Sequence, residues 1–131
     1  MQEVKLDTEL VVITPNEPGI LGRVLSTLAN AGVNLRALRA FSETKRGVFN
    51  LLTSNNSKAQ KALEALGYSV TPTEVLTVVM SDRIGAGAEI GALLGTAIID
   101  VDYCYGSSSG LGKALLVFKT SDNTRALDTL L

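Results

Sequence analysis

Histidine and tryptophan are missing from this 131-residue chain, and cysteine occurs once, at Cys104. Without imidazole the commonest general base and metal ligand is gone, and a lone thiol has nothing to activate it. A single cysteine forms no internal disulfide and fits a reducing compartment. No sign of charge dominates: Lys and Arg number 12 against 13 Asp and Glu. Such a balance leaves no electrostatic footprint for nucleic acid. Uncharged stretches such as Gly47–Ser57 are short and half polar, far below the roughly 20 apolar residues of a membrane span. No basic region followed by an apolar stretch opens the chain, so no signal peptide is expected and the location expected is cytoplasmic.

The carboxylates are scattered too. Asp100 and Asp102 stand two apart and share a strand face, but a metal site wants more ligands than that pair. Gly85-Ala86-Gly87 resembles a fragment of a phosphate loop without the Lys-Ser/Thr that should follow. No catalytic residue, metal or cofactor is therefore expected, and the chain does not read as an enzyme.

What is present is a repeat. Shifted by 66 positions, Leu10–Asn55 lies without a gap on Leu76–Ser121, pairing Leu10/Leu76, Val12/Val78, Gly19/Gly85, Val24/Ile90, Leu28/Leu94, Val33/Ile99 and Leu51/Val117. Lys61–Glu64 then matches Arg125–Asp128. Two units result, residues 1–72 and 73–131, each of about 65 residues and each with a marginal core. The chain is 46% hydrophobic and 19% charged, rich for its size, which points to apolar surface buried between units or subunits. A homodimer is the expectation.

The first copy reads as one cycle. Glu9–Ile13 is a β-branched strand. Thr14–Gly19 is dense in turn formers, with Asn16 and Glu17 suited to cap the helix that carries Val24, Leu25, Leu28 and Ala31. Gly32 stops it. Val33–Phe41 alternates as a strand, with Val33, Leu35, Ala37 and Phe41 on one face and Asn34, Arg36 and Leu38 on the other; Ser42–Gly47 turns, and Val48–Thr53 returns. Ser57 and Gln60 form a capping box for a second helix closed by Gly67, and Tyr68–Thr73 is extended. The order βαββαβ predicts two ferredoxin-like α+β units, each an antiparallel sheet with both helices on one face. The second copy reaches Leu131 within its second helix, so Gln2–Leu6 is expected to supply its fourth strand.

The loop before the first helix is the place for a ligand. Gly19 lets backbone approach closely, and the leading N–H groups and dipole of the helix favour a carboxylate. Asn16 offers a carboxamide and Glu17 could meet an ammonium. From the residues alone, the same positions serve equally as a helix cap.

Pro15-Asn16-Glu17-Pro18-Gly19-Ile20-Leu21, followed by a helix and Ala31-Gly32-Val33-Asn34-Leu35, resembles the opening of an ACT domain. The duplication and the linker Gly67–Leu76 are similar to small stand-alone tandem-ACT proteins. The resemblance implies a regulatory, non-enzymatic module that senses a free amino acid at an interface between ACT units; the regulated enzyme is unknown. Carried onto this chain, it names Asn16, Glu17, Gly19, Ile20, Leu21, Asn34 and Arg36. The second copy departs from the pattern: Asp82 and Gly85 remain, Ile84 replaces the proline, and Asp100 and Asp102 replace Asn34 and Arg36. That inversion suggests a division of labour, with Asp100 or Asp102 receiving the ligand's ammonium or a basic side chain while the first copy handles the carboxylate. The alternative is a ligand-free assembly module.

Overall fold

The computed structural model of the protein describes residues 2–108 and 110–131; Met1 and Ser109 lie outside it. The elements run β1 Gln2–Pro15, α1 Ile20–Asn30, β2 Leu35–Glu43, β3 Arg46–Thr53, α2 Asn56–Glu64, β4 Ser69–Ser81, α3 Ala86–Thr96, β5 Val101–Ser108, β6 Lys113–Thr120 and α4 Asn123–Leu130. Two compact units result. The first is Thr8–Thr73, and the second joins residues 2–7 to Glu74–Leu131. Both are ferredoxin-like α+β units.

In the first unit the strand order is β2-β3-β1-β4, and in the second it is β1-β4-β6-β5. Two strands serve both. The 14 residues of β1 and the 13 of β4 each divide at a unit boundary. The two short extended runs expected on either side of Asp7 are therefore one strand, and the same holds around Thr73. Residues 2–6 lie in the second unit's sheet. Val4 is buried among Leu76, Val78, Ile90, Leu94, Phe118 and Leu130, and the Gln2 amide donates to the Leu130 carbonyl oxygen at 2.7 Å. The first unit's core gathers Leu10, Val12, Val24, Leu28, Phe49, Leu51, Ala59, Leu63 and Val70.

Several sequence expectations need correction. The offset between copies is 66 only as far as β2 and β5, where Asn34 and Asp100 both donate their backbone N–H to a serine, Ser54 and Ser121. From β3 onward it is 67, because the second hairpin turn is one residue longer. Leu51 thus matches Phe118, not Val117, and the second helices match Ala59 to Ala126 and Leu63 to Leu130. Those residues are all buried. Helix α2 is capped by Asn55, whose Oδ1 accepts from Lys58 N at 3.1 Å, and not by Ser57. Its counterpart Asp122 accepts from Arg125 N at the same 3.1 Å. Each cap contributes about 1 kcal/mol. In β2 a bulge between Leu35 and Ala37 breaks the expected alternation. Past it Leu38, not Ala37, packs on the core, while Phe41 is exposed beneath the Arg39 guanidinium.

One buried pair was read as part of an apolar strand. Glu9 is fully buried and Asn50 is 3% exposed; Asn50 Nδ2 donates to Glu9 Oε2 at 3.1 Å. Asn50 Oδ1 is buried without a hydrogen-bond partner. At the corrected offset the second unit places Val75 and Val117 there, both fully buried, so the fold accepts an apolar pair. The double change Glu9→Val with Asn50→Val should raise the melting temperature by several degrees, about 1–2 kcal/mol, by removing the orphaned acceptor. Asn50→Val alone, which strips a donor from a buried carboxyl group, should lower stability by about 2–4 kcal/mol. Thermal denaturation of both variants decides it.

The shared strand gives a second test. Removing residues 1–7 should strip hydrogen-exchange protection from Glu74–Leu131 before Thr8–Thr73. Loss of protection confined to Thr8–Thr73 would overturn this assignment.

Candidate functional site

Each unit turns from a strand into a helix through a loop that ends in a left-handed glycine. Gly19 has φ +87° and Gly85 φ +88°, a conformation most L-residues avoid. A Cβ at either would meet no atom within 4 Å, so both face open space. Neither α1 nor α3 has a side-chain cap, unlike α2 and α4. The first amide of each donates to a loop carbonyl, Glu17 or Arg83; the amides that follow it have no side-chain cap, at the positive end of the helix dipole that favours an anion.

In the first loop Asn16 does not cap the helix. It is exposed, and its backbone N–H donates to the Lys45 carbonyl in the β2–β3 turn at 3.2 Å. The Glu17 carbonyl accepts from Ile20 N, and its carboxylate meets Arg23 Nη1 at 3.4 Å. Ile20 packs on the core, whereas Leu21 is exposed. These five residues lie together. Asn34 and Arg36 do not join them within this unit. They stand where β2 begins, opposite Thr53, while the loop adjoins the hairpin turn at the far end. That separation is roughly 20 Å at about 3.3 Å per residue. Asn34 Oδ1 accepts from the next backbone amide, and Arg36 lies at the exposed bulge.

The second unit repeats the split. Asp82 donates its N–H to the Gly112 carbonyl and accepts the Ser108 hydroxyl. Asp100 sits at the other end of the sheet, opposite Ser121. Asp102 is held by Lys119 Nζ at 2.8 Å, so its charge is already met by a cation.

Two residues escaped the sequence reading. Arg83 Nη2 meets Glu89 Oε2 at 2.5 Å. That hydrogen bond, then the charge of Arg83, holds the Glu89 carboxyl below its ordinary range, and the same contacts raise the Arg83 pKa. Both line a cavity of about 100 Å³ with Gln2, Met80, Ser81 and Ala86. The repeat carried the signal. At an offset of 66, Arg83 lies on Glu17 and Glu89 on Arg23, so the loop-to-helix ion pair recurs with its signs exchanged.

The family model described as an ACT domain pair matches residues 6–131. The chain belongs to that family. Its fold is similar to protein BT0572 from Bacteroides thetaiotaomicron, with a TM-score of 0.89 at 24% identity, covering 97% of this chain and 88% of that one. It is also similar to the ligand-free regulatory subunit of aspartate kinase from Thermus thermophilus (TM-score 0.69, 15% identity, 97% and 93% covered). The regulatory subunit of aspartate kinase from Thermus flavus gives 0.62 at 17% identity, with 98% and 94% covered. No curated protein matches the sequence. Among the described residues of this ACT domain pair, no helix is long and apolar enough to cross a membrane.

Because nothing crowds either glycine, Gly19→Ala and Gly85→Ala should each lower stability by only about 1 kcal/mol, the cost of a left-handed L-residue. Urea denaturation measures it. A loss of 3 kcal/mol or more would mean that the loop is packed and has no room for a ligand.

Proposed function

We propose that this ACT domain pair is a regulatory, non-enzymatic, cytoplasmic protein that binds a free amino acid at its strand-to-helix loops. Binding shifts an oligomeric or partner-bound equilibrium. The carrying observation is the contrast in helix starts. Helices α2 and α4 have their third amides met by Asn55 and Asp122, whereas α1 and α3 start without a side-chain cap behind glycines that face open space. A fold that caps two helices and leaves two bare has kept donors for a carboxylate. The family assignment and the resemblance to regulatory subunits of aspartate kinase support the same reading.

Asn16, Glu17, Gly19, Ile20 and Leu21 form the proposed contact set of the first loop, and Asp82 and Gly85 that of the second. Asn34, Arg36, Asp100 and Asp102 serve a ligand at these loops only if another surface brings them there. Regulation requires that the ligand bind the two states with different affinity. The listening enzyme belongs to the same proposal.

A melting series against the twenty amino acids tests it. An effector at a hundred times its dissociation constant adds about 2.7 kcal/mol, several degrees in units this small. Silence across all twenty would favour the ligand-free assembly module.

A further inference from the structure

Where the first unit closes α1 with Gly32, at φ +73°, the second closes α3 with Ile98, at φ +57°. The two positions are equivalent at the offset of 66, and the helices end alike. Gly32 N donates to the Ala29 carbonyl and Val33 N to that of Leu28; Ile98 N donates to that of Gly95 and Ile99 N to that of Leu94. Glycine is the usual residue at such an end, and a β-branched one is an outlier in the left-handed region. The Ile98 side chain recovers nothing from its own chain in return, for it is 87% exposed. Strain that a fold keeps without using it marks a surface with a role outside the chain.

The neighbouring surface has the shape and charge for that role. Ala97, next to Ile98, borders a cleft on the α3–α4 helix face that Ala92, Leu93, Thr96 and Thr129 also line, with Glu89 at its far end. Leu93 is itself exposed. The first unit has Ser26, Thr27 and Asn30 in place of Ala92, Leu93 and Thr96, so only the second unit leaves this face apolar. A knob and a hole side by side on one surface suit a self-complementary, two-fold contact. The charges are arranged in the same way. Glu89 is the one charged residue of α3. At the other end Arg125 donates to the Ala97 carbonyl oxygen at 2.5 Å and forms no ion pair among the described residues. Glu89 and Ala97 lie about 12 Å apart along the helix at roughly 1.5 Å per residue. Two such helices set antiparallel bring each Arg125 to the other copy's Glu89. Arg83 already engages one oxygen of Glu89, and a carboxylate accepts from more than one donor.

We propose that this helix face is the interface of a homodimer, in which two α3 helices pack antiparallel and Ile98 of each copy seats in the other's cleft beside Leu93. The dimer does not require an amino acid to bind, so it stands apart from the sensing reading and supplies a surface on which a shift between oligomeric states could act.

Sedimentation equilibrium on the full chain, without ligand, tests it over a wide range of concentrations. The native chain should pass from the mass of one copy, 13.8 kDa, to twice that mass and stop there. Ile98→Gly and Leu93→Thr, which install the first unit's residues, should each weaken the dimer tenfold or more. At a dilution where both chains are monomers, Ile98→Gly should melt several degrees above the native chain, because the left-handed strain is gone. Glu89→Gln and Arg125→Gln should each weaken the dimer severalfold, and the double change no more than either alone. Effects at two sites this far apart within one chain would instead multiply. A native chain that stays monomeric overturns the proposal and leaves the face to a different protein. Growth beyond two copies overturns it as well, since a two-fold contact closes. So does an Ile98→Gly chain that dimerises as tightly as the native one, or that melts below it as a monomer, because Ile98 would then serve its own fold.

Discussion

The pairing of β1 with β4 is the constraint on which the rest of the architecture depends. Each strand carries enough residues for two edges, and each is divided between the units, at Asp7/Thr8 and at Thr73/Glu74. Val4 enters the core built on Leu76, Val78 and Ile90, and Val70 enters the core built on Leu10, Val12 and Leu28. A unit of about 65 residues has little apolar area to spare. Losing one strand removes a core residue and exposes a ladder of backbone donors and acceptors at once.

Around that sheet the helices divide by how they begin. At α2 and α4 a short side chain reaches back to the third amide, and a threonine–asparagine contact, Thr53 to Asn56 and Thr120 to Asn123, fixes the entry. These starts are closed by their own residues. At α1 and α3 the chain instead turns through a glycine with positive φ; the first amide of each helix donates to a loop carbonyl, Glu17 or Arg83, and no side chain caps the helix. The two kinds of start thus alternate along the sequence, glycine-led at α1 and α3 and side-chain-capped at α2 and α4.

Much of this was legible in the residues. Turn formers at Thr14–Gly19, the stop at Gly32 and the apolar spacing of Val24 and Leu28 gave α1 and its flanking strands. The resemblance to ACT domains gave the family. What the sequence hid follows from physical causes. A bulge has no residue signature strong enough to overrule an alternating pattern, so Ala37 and Leu38 exchanged faces. A one-residue longer turn leaves apolar positions matching at either offset, because Leu116, Val117 and Phe118 are all apolar; only the serine and cap contacts fix it. Asn16 looked like a cap because its side chain can serve as one, yet its backbone is tied to Lys45 instead. Glu9 disappeared into a strand because neighbouring valines and leucines dominate any window that contains it.

The duplication is its own control experiment. Positions that hold the fold agree between copies: buried Val24 and Ile90, Leu28 and Leu94, Leu63 and Leu130. Among those that disagree, several exchange charge or polarity. Glu17 and Arg23 become Arg83 and Glu89, Asn34 and Arg36 become Asp100 and Asp102, and buried Glu9 and Asn50 become Val75 and Val117. Packing tolerates either member of each set, as the second copy shows by folding with the other. Core geometry therefore does not explain the differences. The two copies keep one architecture while their strand-to-helix loops carry an ion pair of opposite order, Glu17 with Arg23 in the first and Arg83 with Glu89 in the second.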